Sequence, residues 1–461
     1  MLCLGGVALL SSCAGDEKQA PELILLISVD TLRADALGAY GAVGAETSAI
    51  DALAEESLVF ERNYAPASFT VPSITTLLTG YYPEQNVVYS NEHVLPEAVP
   101  TMASHLGQRG YSSGAVVSNF VLRAETGLDR AFDFYDDSMP EREVARGLPE
   151  RIAQETTADA LDMLDLLMDE DGGRIFLWVH YQDPHGPYTP AEGERSRFLD
   201  AELAQPDGRR ELELGPDQRG LGALPDYQEV EGQRQVAFYR AGYRAEIAAT
   251  DRAIGELLDG IKARMPWDQT LTIFTADHGE GLGEGDYWFA HGEVLTEPLT
   301  RVPLMIRAPG LGVGRRSDIA GLIDVVPTLL PLIGLAVDGD LPGRNLLAAG
   351  ASSQTSELYI SSLLGSSVGR VGLIADEHLY QVTENGGGQA IEELYRLGSP
   401  GEDIGKESPS LIQSMRARLG ALRPRLRAKG EERLQSLSDS DRATMRALGY
   451  TDSGASHSED H

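Results

Sequence analysis

Two nearly uninterrupted apolar runs, Leu23 to Val29 and Leu271 to Ala276, end in residue types that ligate metals: Asp30 after the first, Asp277 and His278 after the second. Runs of this length without polar alternation read as strands covered on both faces, the environment of a parallel sheet between helical layers. In an open α/β sheet the carboxyl ends of parallel strands share one edge, and ligands bind there. Two carboxylates and an imidazole arriving at that edge form a hard-to-borderline divalent metal site. The competing reading makes Asp30 a turn residue and Asp277-His278 a helix cap. It leaves unexplained the hydroxyl, described below, that such a metal would activate.

The rest of the chain alternates in the same way. Gly114 to Ser118, Arg174 to His180 and Val302 to Arg307 read as strands, and Ile50 to Glu56 and Val325 to Ile333 as helices. Gln235 to Arg264 carries Tyr239, Tyr243, Ile247, Ile254, Leu257 and Ile261 at helical spacing, which predicts a long amphipathic helix. The fold class expected is α/β, a large mostly parallel sheet flanked by helices. Beyond Asn345, short runs at Leu358 to Ser361, Val371 to Ala375 and Leu379 to Val382 predict a small antiparallel sheet. The expected organisation is a catalytic domain over 22–345, a subdomain over 346–400 and a helical or unstructured tail over 401–461. Within the first, 191–234 is acidic and rich in Gly and Pro, and reads as an insertion beside the site. A formal charge of −33 argues against nucleic acid as a partner.

Leu2 to Leu10 is apolar but too short to span a bilayer, and it leads into Leu10-Ser11-Ser12-Cys13. That pattern looks like a bacterial lipobox, with residues 1–12 as a signal peptide, Cys13 as the acylated first residue and a tether to residue 21. The expected location is the cell envelope, lipid-anchored. Ala14 at the next position favours sorting to the outer membrane. Cys3 would leave with the signal, so no disulfide within the chain is available. Cys13→Ser is expected to move the protein from the membrane to the soluble fraction on cell fractionation; full retention on the membrane would refute the anchor.

The candidate nucleophile lies in Ser68-Phe69-Thr70-Val71-Pro72-Ser73-Ile74, followed by Leu77-Leu78-Thr79-Gly80. Pro72 suits a first helical position and Gly80 the position after a helix end, which puts Thr70 at or just before a helix N-terminus. Unpaired amides and the helix dipole favour negative charge there, on an alkoxide or an incoming anion. Taken alone, Thr70 reads as readily as an ordinary N-cap.

As an ordered set, these segments resemble the sulfatase family of the alkaline phosphatase superfamily. The resemblance runs from about Glu22 to Leu397. It rests on Ser28-Val29-Asp30-Thr31-Leu32-Arg33-Ala34-Asp35, Pro72-Ser73, Asp183-Pro184-His185-Gly186-Pro187-Tyr188 and Asp277-His278-Gly279-Glu280. Arg301-Val302-Pro303-Leu304, Ile323-Asp324-Val325-Val326-Pro327-Thr328 and Glu393-Leu394-Tyr395-Arg396-Leu397 continue it, and Leu448-Gly449-Tyr450 resembles a C-terminal signature of many bacterial members. The resemblance implies a hydrolase of sulfuric or phosphoric esters.

The departures from the family pattern carry information of their own. Sulfatases have a Cys or Ser where Thr70 stands, oxidised to formylglycine; a secondary hydroxyl cannot give that aldehyde. The Arg after the Pro-Ser pair is Ile74, the Lys and His of a Gly-Lys-Trp-His segment align with Ser118 and Phe120, and the second Asp of an Asp-Asp pair is Thr31. The residues that remain resemble those of phosphoethanolamine transferases and related phosphodiesterases. Those use a Thr nucleophile and keep a His-Gly pair, matched by His291-Gly292. The resemblance implies Thr70 as nucleophile and as a contributor to a metal shell of Asp30, Asp277 and His278. The metal would be Ca²⁺, Mn²⁺ or Zn²⁺. His185 and His291 would bind the anion or protonate the leaving oxygen; alternatively, with Asp183 or His180, they hold a second metal. The substrate is then an anionic ester of a glycan, lipid or small molecule. A phosphotransferase and an inactive glycan-binding lipoprotein are the alternative readings.

Overall fold

The computed structural model describes residues 20–142, 148–171, 173–216, 219–337, 339–350, 357–362, 368–385, 390–399, 401–426, 437–448 and 450. Cys13 with its leader, Gly449 and the tail beyond Asp452 lie outside them. Among the described residues no helix is long and apolar enough to cross a membrane.

Leu23–Val29 sits inside an eight-stranded sheet, and all seven of its residues are buried. Arg174–Tyr181 and Thr270–Ala276 flank it, both parallel. Outward on one side follow Tyr111–Val117 and Phe134–Asp136; on the other follow Arg301–Arg307, Leu58–Tyr64 and Gly314–Gly321. The sheet is thus mostly parallel, as expected. Arg301–Arg307 is the departure, antiparallel to both neighbours. The chain returns from Ala276 to Arg301 along the carboxyl edge, with only the four-residue helix Glu297–Thr300 and a short 3-10 turn on the way. A parallel neighbour would have needed a crossover. Because Arg301–Arg307 reverses, Leu58–Tyr64 again runs with the central strands, and its end also reaches the site edge.

Register fixes which residues meet there. Val29 lies opposite Tyr181 and Ala276, so the chain leaves the sheet at Asp30 and Asp277 on the same level. Val117 lies opposite His180, which brings Ser118 and Asn119 to that level too. The long helix is Val236–Arg264, and the six residues expected on its apolar stripe are all buried. The small sheet is a four-stranded antiparallel meander of Leu358–Ser362, Val368–Ala375, His378–Asn385 and Ile391–Arg396. It packs with Ile412, Met415 and Leu419 of the helix Pro409–Leu422. The last helix, Asp439–Leu448, instead returns Met445 and Leu448 to the large core.

Candidate active site

Thr70 opens the helix Thr70–Thr79, all ten residues of which are buried, with Phe69 in extended conformation before it. The sequence reading placed Pro72 first in the helix; it is third, where a missing N–H still costs no intrahelical bond. Gly80 ends the helix at φ 72°, as expected, and the side chains of Leu341 and Val326 leave little room for a Cβ. The helix is anchored to the site: Val71 N–H donates to Asn91 Oδ1 at 2.9 Å, and Ser73 Oγ donates to the Asp277 carbonyl at 2.5 Å.

Asp30, Asp277 and His278 are fully buried, and one ligand atom from each lies within 4.8 Å of the others. His278 Nε2 is 3.7 Å from Asp30 Oδ1 and 3.4 Å from Asp277 Oδ2, with Thr70 Oγ1 at 3.2 Å. The other oxygen of each carboxylate is engaged. Asp277 Oδ1 accepts from the backbone N–H groups of Thr31 (3.2 Å) and His278 (2.7 Å). Asp30 Oδ2 accepts from Asn119 Nδ2 and, at 3.4 Å, from the Tyr450 hydroxyl. The two facing oxygens, Asp30 Oδ1 and Asp277 Oδ2, have no hydrogen-bond partner. His278 Nδ1 donates to the Gly279 carbonyl at 2.9 Å, which leaves the Nε2 lone pair directed at the cluster. Two orphaned carboxylate oxygens and an imidazole lone pair, all dry, are the donor set a divalent cation requires. Burial, then the charges of Asp277 and Glu280, hold Asp30 well above the usual carboxylate range; burial holds His278 below the usual imidazole range.

Gly279 belongs to the motif for a steric reason: a Cβ there would sit 2.0 Å from the Pro298 carbonyl. Thr31, which stands where the family has a second Asp, serves Asp277 through its backbone N–H, in a left-handed conformation at φ 54°.

The histidines divide into two kinds. His180 lies in the sheet; its Nδ1 is 2.9 Å from Ser28 Oγ, which also accepts from Trp178 Nε1. Burial lowers its pKa to about 4, so it is neutral near pH 7, and its Nε2 has no partner. His291 and His185 stand over the cluster, with ring centroids 4.5 Å (His278 to His291) and 5.0 Å (His291 to His185) apart. His291 Nδ1 is 3.3 Å from Glu280 Oε1, and its Nε2 is buried without a partner. Asp183 does not join them. Its Oδ2 accepts from Ala153 N–H at 2.8 Å, at the start of the helix Ala153–Asp171, and among the described residues it belongs to no cluster of metal-ligating side chains. Among the described residues, Asp30, Asp277 and His278 are the only such metal-ligand group, and the second-metal reading is not assembled.

Several residues of the site were not found from sequence. Ser118 turns away to Thr156, and Phe120 packs under the Arg123 guanidinium; the residue between them, Asn119, reaches Asp30. Glu280 is fully buried and accepts from the Tyr188 hydroxyl at 2.9 Å. Tyr227 of the 191–234 insertion and Tyr450 of the tail both stack on His185, at 6.2 and 4.3 Å. The placement of Asn119 at a strand end was the one signal available for it.

A family model described as sulfatase matches residues 22–335. Choline-sulfatase of Rhizobium meliloti is 28% identical over 350 residues, covering 68% of this chain and 68% of that protein. Human iduronate 2-sulfatase is 27% identical over 433 residues, covering 74% and 78%. The crystal structure of a phosphonate monoester hydrolase of Agrobacterium radiobacter superposes with a TM-score of 0.70 at 19% identity, covering 91% of this chain and 100% of that one.

Proposed function

The chain belongs to the sulfatase family of ester hydrolases, and we propose that it cleaves singly charged phosphorus esters, phosphonate monoesters or phosphodiesters, with Thr70 as nucleophile. The observation that carries the reading is Thr70 Oγ1 at the head of a buried helix, 3.2 Å from His278 Nε2 beside the Asp30–Asp277 pair. A divalent ion held by Asp30, Asp277 and His278 would supply the positive charge that makes the Thr70 hydroxyl acidic.

Thr70 Oγ, its proton lost to solvent, attacks phosphorus as the bond from phosphorus to the leaving oxygen breaks. His291, oriented by Glu280 on its other nitrogen, or His185 gives that oxygen its proton. Water then attacks the same phosphorus, giving one proton back to the histidine that had lost its own; the bond to Oγ breaks, and Thr70 leaves as the alkoxide, ready for the next turnover. A threonyl sulfate has no comparable exit, because the carbon–oxygen cleavage open to a formylglycine hydrate is closed to it.

Charge supports the narrower substrate class. Among the described residues, Asp30, Asp277 and Glu280 have no Arg or Lys ion-pair partner, their imidazole neighbours being His278 and His291, and Arg33 is committed to Asp35 and Glu284 at 2.7 and 2.8 Å. The positions where the family would place Arg, Lys and His hold Ile74, Ser118 and Phe120. One divalent ion does little more than neutralise Asp30 and Asp277. A phosphate monoester, dianionic above its second pKa of about 6, brings one charge too many; a diester or phosphonate monoester brings one.

With purified protein and Mn²⁺, turnover of an aryl phosphonate monoester and a bis-aryl phosphodiester is expected to exceed that of the matching aryl phosphate and aryl sulfate by at least about tenfold in kcat/KM, roughly 1.4 kcal/mol of transition-state discrimination. Preference for the aryl phosphate would overturn the charge argument, and preference for the aryl sulfate would overturn the reading.

A further inference from the structure

We infer that Tyr450, outside the stretch matched by the family model, is a positioning residue of the metal centre: its hydroxyl holds the outer oxygen of Asp30 so that the inner oxygen faces the ion. The inference rests on the ligand set proposed above and goes beyond it, since it assigns a role to a residue 420 positions away from the carboxylate it serves.

Tyr450 is almost fully buried and belongs to the large core. Its hydroxyl accepts from Asn119 Nδ2 at 2.9 Å and donates to Asp30 Oδ2 at 3.4 Å. Asn119 cannot swing away, because its Oδ1 accepts from Val121 N–H at 2.9 Å, capping the short turn Phe120–Leu122. Both donors to Asp30 Oδ2 are therefore neutral groups in fixed positions, and Oδ1 is left free of any hydrogen bond. A carboxylate pinned through one oxygen has lost the rotation that would turn its other oxygen from the ion. Groups that orient a ligand in this way are typically worth about 10- to 100-fold in metal affinity or activity.

The same residue reaches the nucleophile. The Tyr450 carbonyl accepts from Asn91 Nδ2 at 2.9 Å, and Asn91 Oδ1 accepts from Val71 N–H, in the first turn of the Thr70 helix. Its ring lies against His185 at 4.3 Å between centroids and 22° between planes. The tail is clamped in place from outside the site: Arg123, one residue past the Asn119-capped turn, pairs with Asp441 of the last helix at 2.8 Å, and Tyr450 N–H donates to the Met445 carbonyl. A tail anchored only for stability would need Met445 and Leu448 in the core; it would not need a phenol oxygen on a metal-ligand carboxylate.

The test uses the full chain, with Mn²⁺ affinity measured by equilibrium dialysis and thermal unfolding measured in chelator. Tyr450→Phe keeps the ring and its packing and removes one oxygen. It is expected to weaken Mn²⁺ binding by about 10-fold or more while leaving the unfolding temperature of the metal-free protein nearly unchanged. In an Asn119→Ala background, the same change is expected to cost much less, because both groups act on one oxygen. Unchanged Mn²⁺ affinity in Tyr450→Phe, with or without a fall in unfolding temperature, would reduce Tyr450 to a tail anchor and overturn the inference, and so would full additivity with Asn119→Ala. Asp277→Ala serves as the control: if it still takes up Mn²⁺, the ligand set is wrong, and the failure lies there rather than with Tyr450.

Discussion

Thr70→Ala is expected to lose at least about 10³-fold in kcat/KM on the preferred phosphorus ester, as follows when a nucleophile is removed, while Mn²⁺ uptake stays close to that of the unaltered protein. The separation is possible because a metal held there would rest on two carboxylates and an imidazole, with Thr70 Oγ1 adding only a neutral oxygen, 3.2 Å from His278 Nε2. The helix should persist, since Asn91 on Val71 and Ser73 on Asp277 still hold its first turn. Thr70→Ser is expected to retain part of the activity: a primary hydroxyl in the same place is still activated, with some freedom gained from the lost methyl group. Thr70→Cys, co-expressed with a formylglycine-generating enzyme, is expected to remain a poor sulfatase, because Ile74 is buried in the helix, Ser118 is bonded to Thr156 and Phe120 lies under Arg123. None of the three carries a positive charge that could hold an anion. Robust sulfate ester turnover by the unaltered protein, with no cleavage of phosphorus esters, would mean that the histidines suffice to hold sulfate and that the departures from the family pattern carry no information about substrate.

What could be read from sequence was whatever a strand delivers at its own end. Leu23–Val29 and Thr270–Ala276 are buried on both faces, so their apolar runs are unbroken enough to mark where each strand stops, and the next residue is one of the carboxylates that could hold a metal. The Thr70 helix was legible from Pro72 and Gly80, although its start fell two residues earlier, because proline is tolerated throughout the first turn. Contacts set by packing between distant elements were not legible. Asp183 sits two residues from His185 and looks like its partner, yet its Oδ2 caps the helix at Ala153 N–H, 30 residues back, and it does not join the metal-ligating cluster. Asn119 and Tyr450 reach Asp30 from 89 and 420 residues away, and neither is a residue type that announces a metal site. The direction of Arg301–Arg307 followed from the route of a loop, which composition does not encode.

Asp277→Ala is expected to abolish metal uptake and activity together, with the fold retained. Asp277 Oδ1 organises the turn by accepting from Thr31 and His278 N–H, and Oδ2 faces the cluster with no other partner. The two oxygens therefore do separable work, and Asp277→Asn tells them apart. The amide oxygen can still take both backbone N–H groups, but the charge is gone, so metal binding should collapse while the local structure persists. Thermal unfolding gives the sign. In the unaltered protein, free Mn²⁺ at about 100 times its Kd stabilises the fold by about 2.7 kcal/mol, visible as a higher unfolding temperature than in chelator. In Asp277→Asn that difference should vanish. The metal-free variant should also unfold at a higher temperature than the metal-free unaltered protein, because Asp30 and Asp277 no longer repel across a dry site where burial and the neighbouring carboxylate already disfavour charge on Asp30. Replacement of a buried ligand normally destabilises; here removing metal and carboxylate together should relieve a repulsion otherwise offset by the ion or by a proton taken up on Asp30. Full metal occupancy of Asp277→Ala by elemental analysis would remove Asp277 from the ligand set. A metal-dependent rise in unfolding temperature that survives in Asp277→Asn would place the ion elsewhere in the protein.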